Sequence, residues 1–141
     1  IINYELIIVG DEKNLLNKDT EVINSINEKN IKFTGKIDDH LLIDYIRKAS
    51  FVIVPSLYEG FGLVPLEALY LNTKPIISNI EVFEEAYKEF DVLFFKVNDY
   101  IDLANKVNYS DIKLKVNKKL LDEKFSSYKY MKMIEDDLNE L

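Results

Sequence analysis

Phe51-Val52-Ile53-Val54-Pro55-Ser56-Leu57-Tyr58-Glu59-Gly60-Phe61-Gly62-Leu63-Val64-Pro65-Leu66-Glu67-Ala68-Leu69 reads as strand, turn and helix in immediate succession. The first four residues are apolar and mostly β-branched, the composition of a buried strand. Gly60 and Gly62 can take backbone angles closed to other residues and let a ligand approach the main chain. Pro65 falls in the first turn of the helix, where its absent N–H costs nothing. The free donors are then the amides of Phe61, Gly62, Leu63 and Val64, at a helix start where an anion such as phosphate is welcome. Two carboxylates flank the turn. Glu59 cannot be a phosphate ligand, since like charges repel, and its natural partners are sugar hydroxyls that donate to it. Glu67, about a turn into the helix, suits vicinal hydroxyls such as those of a ribose.

The same alternation continues on either side. Residues 4–9 form a short apolar run closed by Gly10-Asp11, residues 31–34 a second closed by Gly35, and residues 75–78 and 92–95 two more. Between them lie one-face apolar stripes: Val22, Ile23 and Ile26 after a cap at Asp19 or Thr20; Leu41, Leu42, Tyr45, Ile46 and Ala49 after Asp38. Val82, Phe83, Ala86, Tyr87 and Phe90 make a third stripe, and Ile101, Leu103, Ala104 and Val107 a fourth, capped by Asn98 or Asp99. Strand and helix repeated with short links predict an α/β fold with a Rossmann-like, doubly wound parallel sheet. Such sheets bind ligands beyond the carboxyl ends of their strands, at the loops Gly10-Asp11, 35–39 and 56–62. Asn72 is placed to take a left-handed angle at a helix end. From Ser110 the chain turns polar, and Ile112, Val116 and Leu120, four apart, predict a helix; after Phe125-Ser126-Ser127 comes a last one with Met131, Ile134 and Leu138. The expected organisation is a partial Rossmann-like domain over 1–109 and helices over 110–141, packed on its edge or directed toward another domain.

The 141 residues suit one domain with a proper core. Hydrophobic residues at 48% and charged ones at 30% describe globular rather than disordered or membrane material. No apolar run approaches the roughly 20 residues that span a bilayer, and the opening residues read as strand rather than signal peptide. The absence of cysteine excludes disulfides and thiolate metal sites and fits a reducing, cytoplasmic setting. A net charge of −7 argues against nucleic acid as a partner. It also means that a bound phosphate must rely on backbone amides or on cations from elsewhere. The carboxylates form no metal-ligand pattern, with neither His-x-x-x-His nor clustered aspartates around a glycine turn. The chain opens on a strand without an initiator Met and is expected to be an excised fragment.

Residues 55–69 resemble the E-x7-E signature of retaining GT-B glycosyltransferases, family 4. The surroundings are similar too: Ile8-Val9-Gly10-Asp11, Ile31-Lys32-Phe33-Thr34-Gly35, Arg47-Lys48-Ala49-Ser50, Pro75-Ile76-Ile77-Ser78 and Phe125-Ser126-Ser127. The resemblance covers nearly the whole chain and implies the C-terminal, donor-binding half of a GT-B fold. On it the candidate catalytic residue is Glu59, contacting sugar hydroxyls. The amides of Gly60, Phe61 and Gly62 orient the sugar, those of Leu63 and Val64 face the diphosphate, and Glu67 holds the ribose. Ile37 lies against the base, and Gly10 is a further substrate-binding candidate, although Gly10-Asp11 reads equally well as a simple turn.

The implied activity is hexosyl transfer, with retention of configuration, from a nucleoside-diphosphate sugar to a saccharide, lipid or protein acceptor, as in cell-envelope or polysaccharide biosynthesis. Attack comes from the same face, the departing diphosphate helps to deprotonate the acceptor, and stabilising that leaving group is the main electrostatic task. The co-substrate is the nucleotide sugar, with no other cofactor and no obligatory metal. The family's earlier strand and helix, with an Arg and a Lys that neutralise the diphosphate, are not matched here, nor is its N-terminal acceptor-binding domain. The chain alone is therefore expected to be inactive, with peripheral membrane association confined to the parent. With the family's central strand unmatched, its neighbours must close up or another molecule must fill the gap. The loop Ser78-Asn79-Ile80-Glu81-Val82 lacks the family's glycine pair.

Blander readings compete at several positions. The Phe61 side chain reads as core, His40 as a first-turn surface residue, and Lys36 as a surface lysine or a phosphate contact. Tyr58 can stack on a ligand or on the sheet. Rival functions are a GT-B nucleotide-sugar epimerase and a non-catalytic α/β binding module. A receiver-like module would need an Asp ending the third strand, where Pro55-Ser56 stand instead.

Overall fold

A computed structural model of the chain describes residues 4–10, 30–109 and 113–125. The described strands are β1 (Leu6–Ile8), β2 (Ile31–Phe33), β3 (Phe51–Val54), β4 (Lys74–Ser78) and β5 (Leu93–Phe95). The helices are α1 (Asp39–Lys48), α2 (Leu63–Tyr70), α3 (Glu81–Tyr87), α4 (Tyr100–Tyr109) and α5 (Lys118–Phe125). This is the α/β, Rossmann-like order expected from the sequence. The helix expected after Asp19 or Thr20 and the one carrying Met131 lie outside the described residues. The strands form two parallel sheets, β1-β2 and β3-β4-β5, and the chain divides into two compact units, Ile1–Tyr45 and Ile46–Leu141.

In the first unit β1 and β2 run in register from Leu6 opposite Ile31 to Ile8 opposite Phe33. Residues 4–9 are largely apolar, yet Leu6 and Val9 are each 44% exposed. In a two-stranded sheet every strand is an edge, and a short pair cannot cover both of its own faces. A bridge from the Gly10 amide to the Gly35 carbonyl, 3.1 Å, closes the pair.

The second unit holds the main core. β4 is the central strand, with Ile53 opposite Ile76 on one side and Ile77 opposite Phe94 on the other, and it is buried along its whole length. Leu66, Leu69, Ile76, Ile77, Phe83, Tyr87 and Leu121 are almost or fully inaccessible. Lys74 is buried at the start of β4 and is paired with Asp91 at 3.1 Å, as a buried lysine must be.

Side-chain caps begin three helices, at Asp38 and Asp99 as the sequence offers and at Asn117, which the spacing of Ile112, Val116 and Leu120 places inside a helix. Asp38 accepts from the Leu41 amide at 2.9 Å, Asp99 from the Asp102 amide at 2.9 Å, and Asn117 from the Leu120 amide at 3.2 Å. Residues 113–117 lie outside any helix, contrary to the four-residue spacing of Val116 and Leu120. Lys113-Leu114-Lys115-Val116-Asn117 also alternates polar and apolar with a period of two, and its burial alternates to match. The Lys115 amide donates to Asp91 at 3.0 Å, an anchor no helix could use in this way.

α5 then packs back onto the core. The Phe125 ring lies 5.8 Å from that of Phe61, 5.9 Å from Tyr87 and 5.8 Å from Phe90. The Tyr70 hydroxyl donates to Asp122 at 2.7 Å, and Lys124 reaches Glu89 at 2.8 Å. The Lys124 hydrogen bond and charge hold the Glu89 carboxyl below its usual range. This tie is complete at neutral pH and is lost as pH falls through the lowered Glu89 pKa.

α2 ends as the sequence predicted. Asn72 has φ 58°, the Thr73 amide donates to the Ala68 carbonyl at 2.8 Å and the Asn72 amide to Leu69 at 3.2 Å. This is the Schellman arrangement, which turns the chain directly into β4. Asn72→Ala should lower unfolding stability by about 1 kcal/mol, while Asn72→Gly should not lower it, because only the former strains a left-handed backbone. Urea denaturation of the two variants measures the difference.

Candidate functional site

The turn between β3 and α2 is held from beneath. Gly62 takes φ 76°, and a Cβ built on it would run into the Phe83 ring. The Tyr87 hydroxyl donates to the Gly62 carbonyl at 2.6 Å. Both aromatic side chains are completely buried on α3, one turn apart, with rings 6.0 Å apart edge to face. Gly60 differs from what the glycine pair suggested. Its φ is not positive and a Cβ there would meet nothing. One glycine of the two is demanded by the backbone.

Above that support the start of α2 is unusually bare. Its N-cap is Gly62, no side chain caps it, and its first turn carries no acidic residue. The amides of Leu63 and Val64 belong to the first turn and have no acceptor within the helix. These two residues are 37% and 42% exposed, whereas Pro65 to Tyr70 are all buried. The positive end of the peptide dipoles therefore meets solvent where nothing on the helix competes for it. Phe61 turns its ring inward onto Phe125, edge-on at 81°, so its side chain is core, as read from the sequence.

The two carboxylates occupy different settings. Glu59 is half-buried, and its Oε1 accepts a hydrogen bond from the Ser56 hydroxyl at 2.7 Å. Glu67 is only 7% exposed, on a helix apolar all round. Glu67 is therefore not part of a solvated helix face. Glu67 is engaged within the protein, as so buried a carboxylate must be. Tyr58 is 88% exposed and does not stack on the sheet.

Glu59, Gly60, Phe61, Gly62, Leu63, Val64 and Glu67 thus come together in one continuous segment of the second unit. Gly10 and Ile37 lie in the first unit. The Gly10 amide is already engaged with Gly35, so Gly10 would offer a ligand its carbonyl and its lack of a side chain. Ile37 is half-buried just before α1. Three supporting residues were not singled out from sequence: Ser56, Ser78 and Tyr87. The Ser78 hydroxyl, fully buried at the end of β4, donates to the Ser56 carbonyl at 2.5 Å. A serine three residues before a glutamate is a detectable signal. A serine or tyrosine more than twenty residues away is not, because its partner is set by tertiary structure.

The model of the family Glycosyl transferases group 1 matches residues 1–127 of the chain. The chain belongs to that family. Among its relatives, the serotype-specific mannosyltransferase WbdA of Escherichia coli is 34% identical over 93 residues, covering 66% of this chain and 10% of the relative. The O-antigen chain mannosyltransferase RfbU of Salmonella typhimurium is 33% identical over 84 residues, covering 59% of this chain and 24% of the relative. The sucrose-phosphate synthase of Thermosynechococcus elongatus superposes with a TM-score of 0.64 at 28% identity, over 73% of this chain and 28% of that one. The chain therefore spans about a tenth to a quarter of the length of these relatives. As in its glycosyltransferase relatives, the fold is of GT-B type.

Gly62→Ala should destabilise the protein by about 1–3 kcal/mol, combining left-handed strain with a collision against a buried ring. Gly60→Ala should change stability by less than about 0.5 kcal/mol, since the added methyl meets open space. A pair of thermal melts tests the contrast.

Proposed function

We propose that the chain supplies the donor-binding part of a retaining glycosyltransferase that moves a hexosyl group from a nucleoside-diphosphate sugar to an acceptor. The observation that carries this reading is the uncapped α2 start at the exposed residues Leu63 and Val64, flanked by Glu59 and Glu67, in a chain of this family. In this assignment Glu59 accepts from hydroxyls of the transferred sugar, and the amides of residues 60–62 orient it. The amides of Leu63 and Val64 receive the diphosphate and Glu67 holds the ribose; Ile37 and Gly10 are assigned to the nucleotide on the family resemblance alone.

Transfer requires the sugar–phosphate bond to break as charge grows on the departing diphosphate. Fixed N–H dipoles aimed at that charge lower the barrier without reorganising, and the growing negative charge lets the leaving group take the acceptor's proton. Retention follows when acceptor and leaving group share one face of the sugar. No metal is obligatory in this scheme, and no protein base is needed. The acceptor is a saccharide, lipid or protein bound by another domain. The mannosyltransferase relatives support a role in polysaccharide assembly. Among the described residues no helix is long and apolar enough to cross a membrane. We place the reaction in the cytoplasm, with the full-length protein free to associate peripherally with a membrane.

A thermal-shift panel of uridine-, guanosine- and adenosine-diphosphate sugars on the full-length protein identifies the donor. Glu59→Ala should then reduce transfer by at least about a hundredfold, within the range seen when one group stabilising the transition state is removed. Near-normal turnover would remove Glu59 from the reaction. The anomeric configuration of the product, read by NMR, tests retention.

A further inference from the structure

We infer that Ser56, backed by Ser78, is a positioning residue that presets the Glu59 carboxylate for the sugar half of the donor. The inference rests on the assignment of Glu59 to the sugar hydroxyls made above and deepens it.

The backing begins in the most buried strand. β4 runs parallel to β3 with Val54 opposite Ile77, so Ser78 ends β4 beside the loop that leaves β3. Its hydroxyl is fully buried and has one proton to give, which goes to the Ser56 carbonyl at 2.5 Å. This bond fixes the loop backbone where the Ser56 side chain starts. The Ser56 hydroxyl in turn donates to Glu59 Oε1 at 2.7 Å. Among the described residues Glu59 has no other hydrogen-bond partner, so the orientation of its carboxylate rests on this single donor.

The choice of donor matters chemically. An ionised carboxylate only accepts, and its two oxygens offer about four lone-pair directions. An arginine in place of Ser56 would engage both oxygens and neutralise them. A serine hydroxyl occupies one lone pair of Oε1 and leaves the charge and the whole of Oε2 for incoming donors. Glu59 is thus held in one orientation while keeping its capacity to accept from sugar hydroxyls. Preorganisation of this kind removes the cost of freezing a glutamate side chain on binding. Because the hydroxyls in question are on the sugar, the effect belongs to the sugar and not to the nucleotide.

That split defines the test on the full-length protein. Calorimetry compares uridine-, guanosine- and adenosine-diphosphate sugars with the corresponding nucleoside diphosphates. Ser56→Ala should weaken binding of the sugar nucleotide about tenfold and leave the nucleoside diphosphate within about twofold, the loss expected of one hydrogen bond to a charged group. Ser56→Thr, which keeps the hydroxyl, should restore affinity. Ser78→Ala should act in the same direction and more weakly. In a Glu59→Ala background Ser56→Ala should have no further effect, because the two residues form one unit. Equal loss for both ligands would show that Ser56 merely supports the turn and would overturn the inference, as would normal sugar-nucleotide binding by Ser56→Ala. If Glu59→Ala itself leaves sugar-nucleotide binding unchanged, or if no sugar nucleotide binds the unaltered protein, the donor-site reading fails instead.

Discussion

The loop that enters α2 has its shape because Gly62 lies in the left-handed region against a ring that leaves no room for a side chain. That contact is reinforced by the Tyr87 hydroxyl on the Gly62 carbonyl. The turn is therefore only as firm as α3, and α3 is pinned by Phe125 of α5, whose ring meets Tyr87, Phe90 and Phe61. Such a cluster resists deformation because close-packed rings have few alternative arrangements of similar energy. A glycine turn tolerant of many conformations is thereby restricted to one. The position of the α2 amides follows from that restriction.

Buried polar groups do the complementary work along β4. Lys74 enters the core paired with Asp91, Thr73 donates to the Ile46 carbonyl at 2.7 Å, and Ser78 leaves the core bonded to Ser56. Each of these groups is costly to bury unless satisfied, so each admits one register of the neighbouring segment and penalises others. Apolar packing alone would let the loops at either end of β4 settle in several ways. Three directed bonds at its two ends remove that freedom, and the loop bearing Glu59 inherits the result.

Much of this was legible in the sequence because it is local. The strands, the caps at Asp38 and Asp99, the left-handed Asn72 and the inward Phe61 ring all follow from spacing or from the conformational preference of one residue. The strand–glycine–helix segment was legible for the same reason. The two glycines, however, look alike in sequence, and only the presence of Phe83 beneath one separates them. Leu114 and Val116 show the limit of periodicity: a spacing of two and a spacing of four overlap there, and Asp91, more than twenty residues earlier, decides between them. Ser78 and Tyr87 act across similar distances. Long-range partners of single hydroxyls leave no pattern in a single chain.

The start of α2 shows what such a site costs the fold. α1, α4 and α5 each begin with an Asp or Asn side chain bonded to a first-turn amide. α3 lacks a side-chain cap but has Glu81 and Glu84 in its first turn. α2 has neither device. A Ser or Asp in place of Gly62 would ordinarily gain only about a few tenths of a kcal/mol as a cap. Here it would meet the Phe83 ring and place a competing acceptor on the amides. The chain is acidic overall, and Lys74, Lys106, Lys119 and Lys124 are already paired with carboxylates. On the proposed reading, the main-chain donors at the start of α2 make the anion contact in this unit. Those donors are useful only while they are unoccupied, and the missing cap is the condition for their availability.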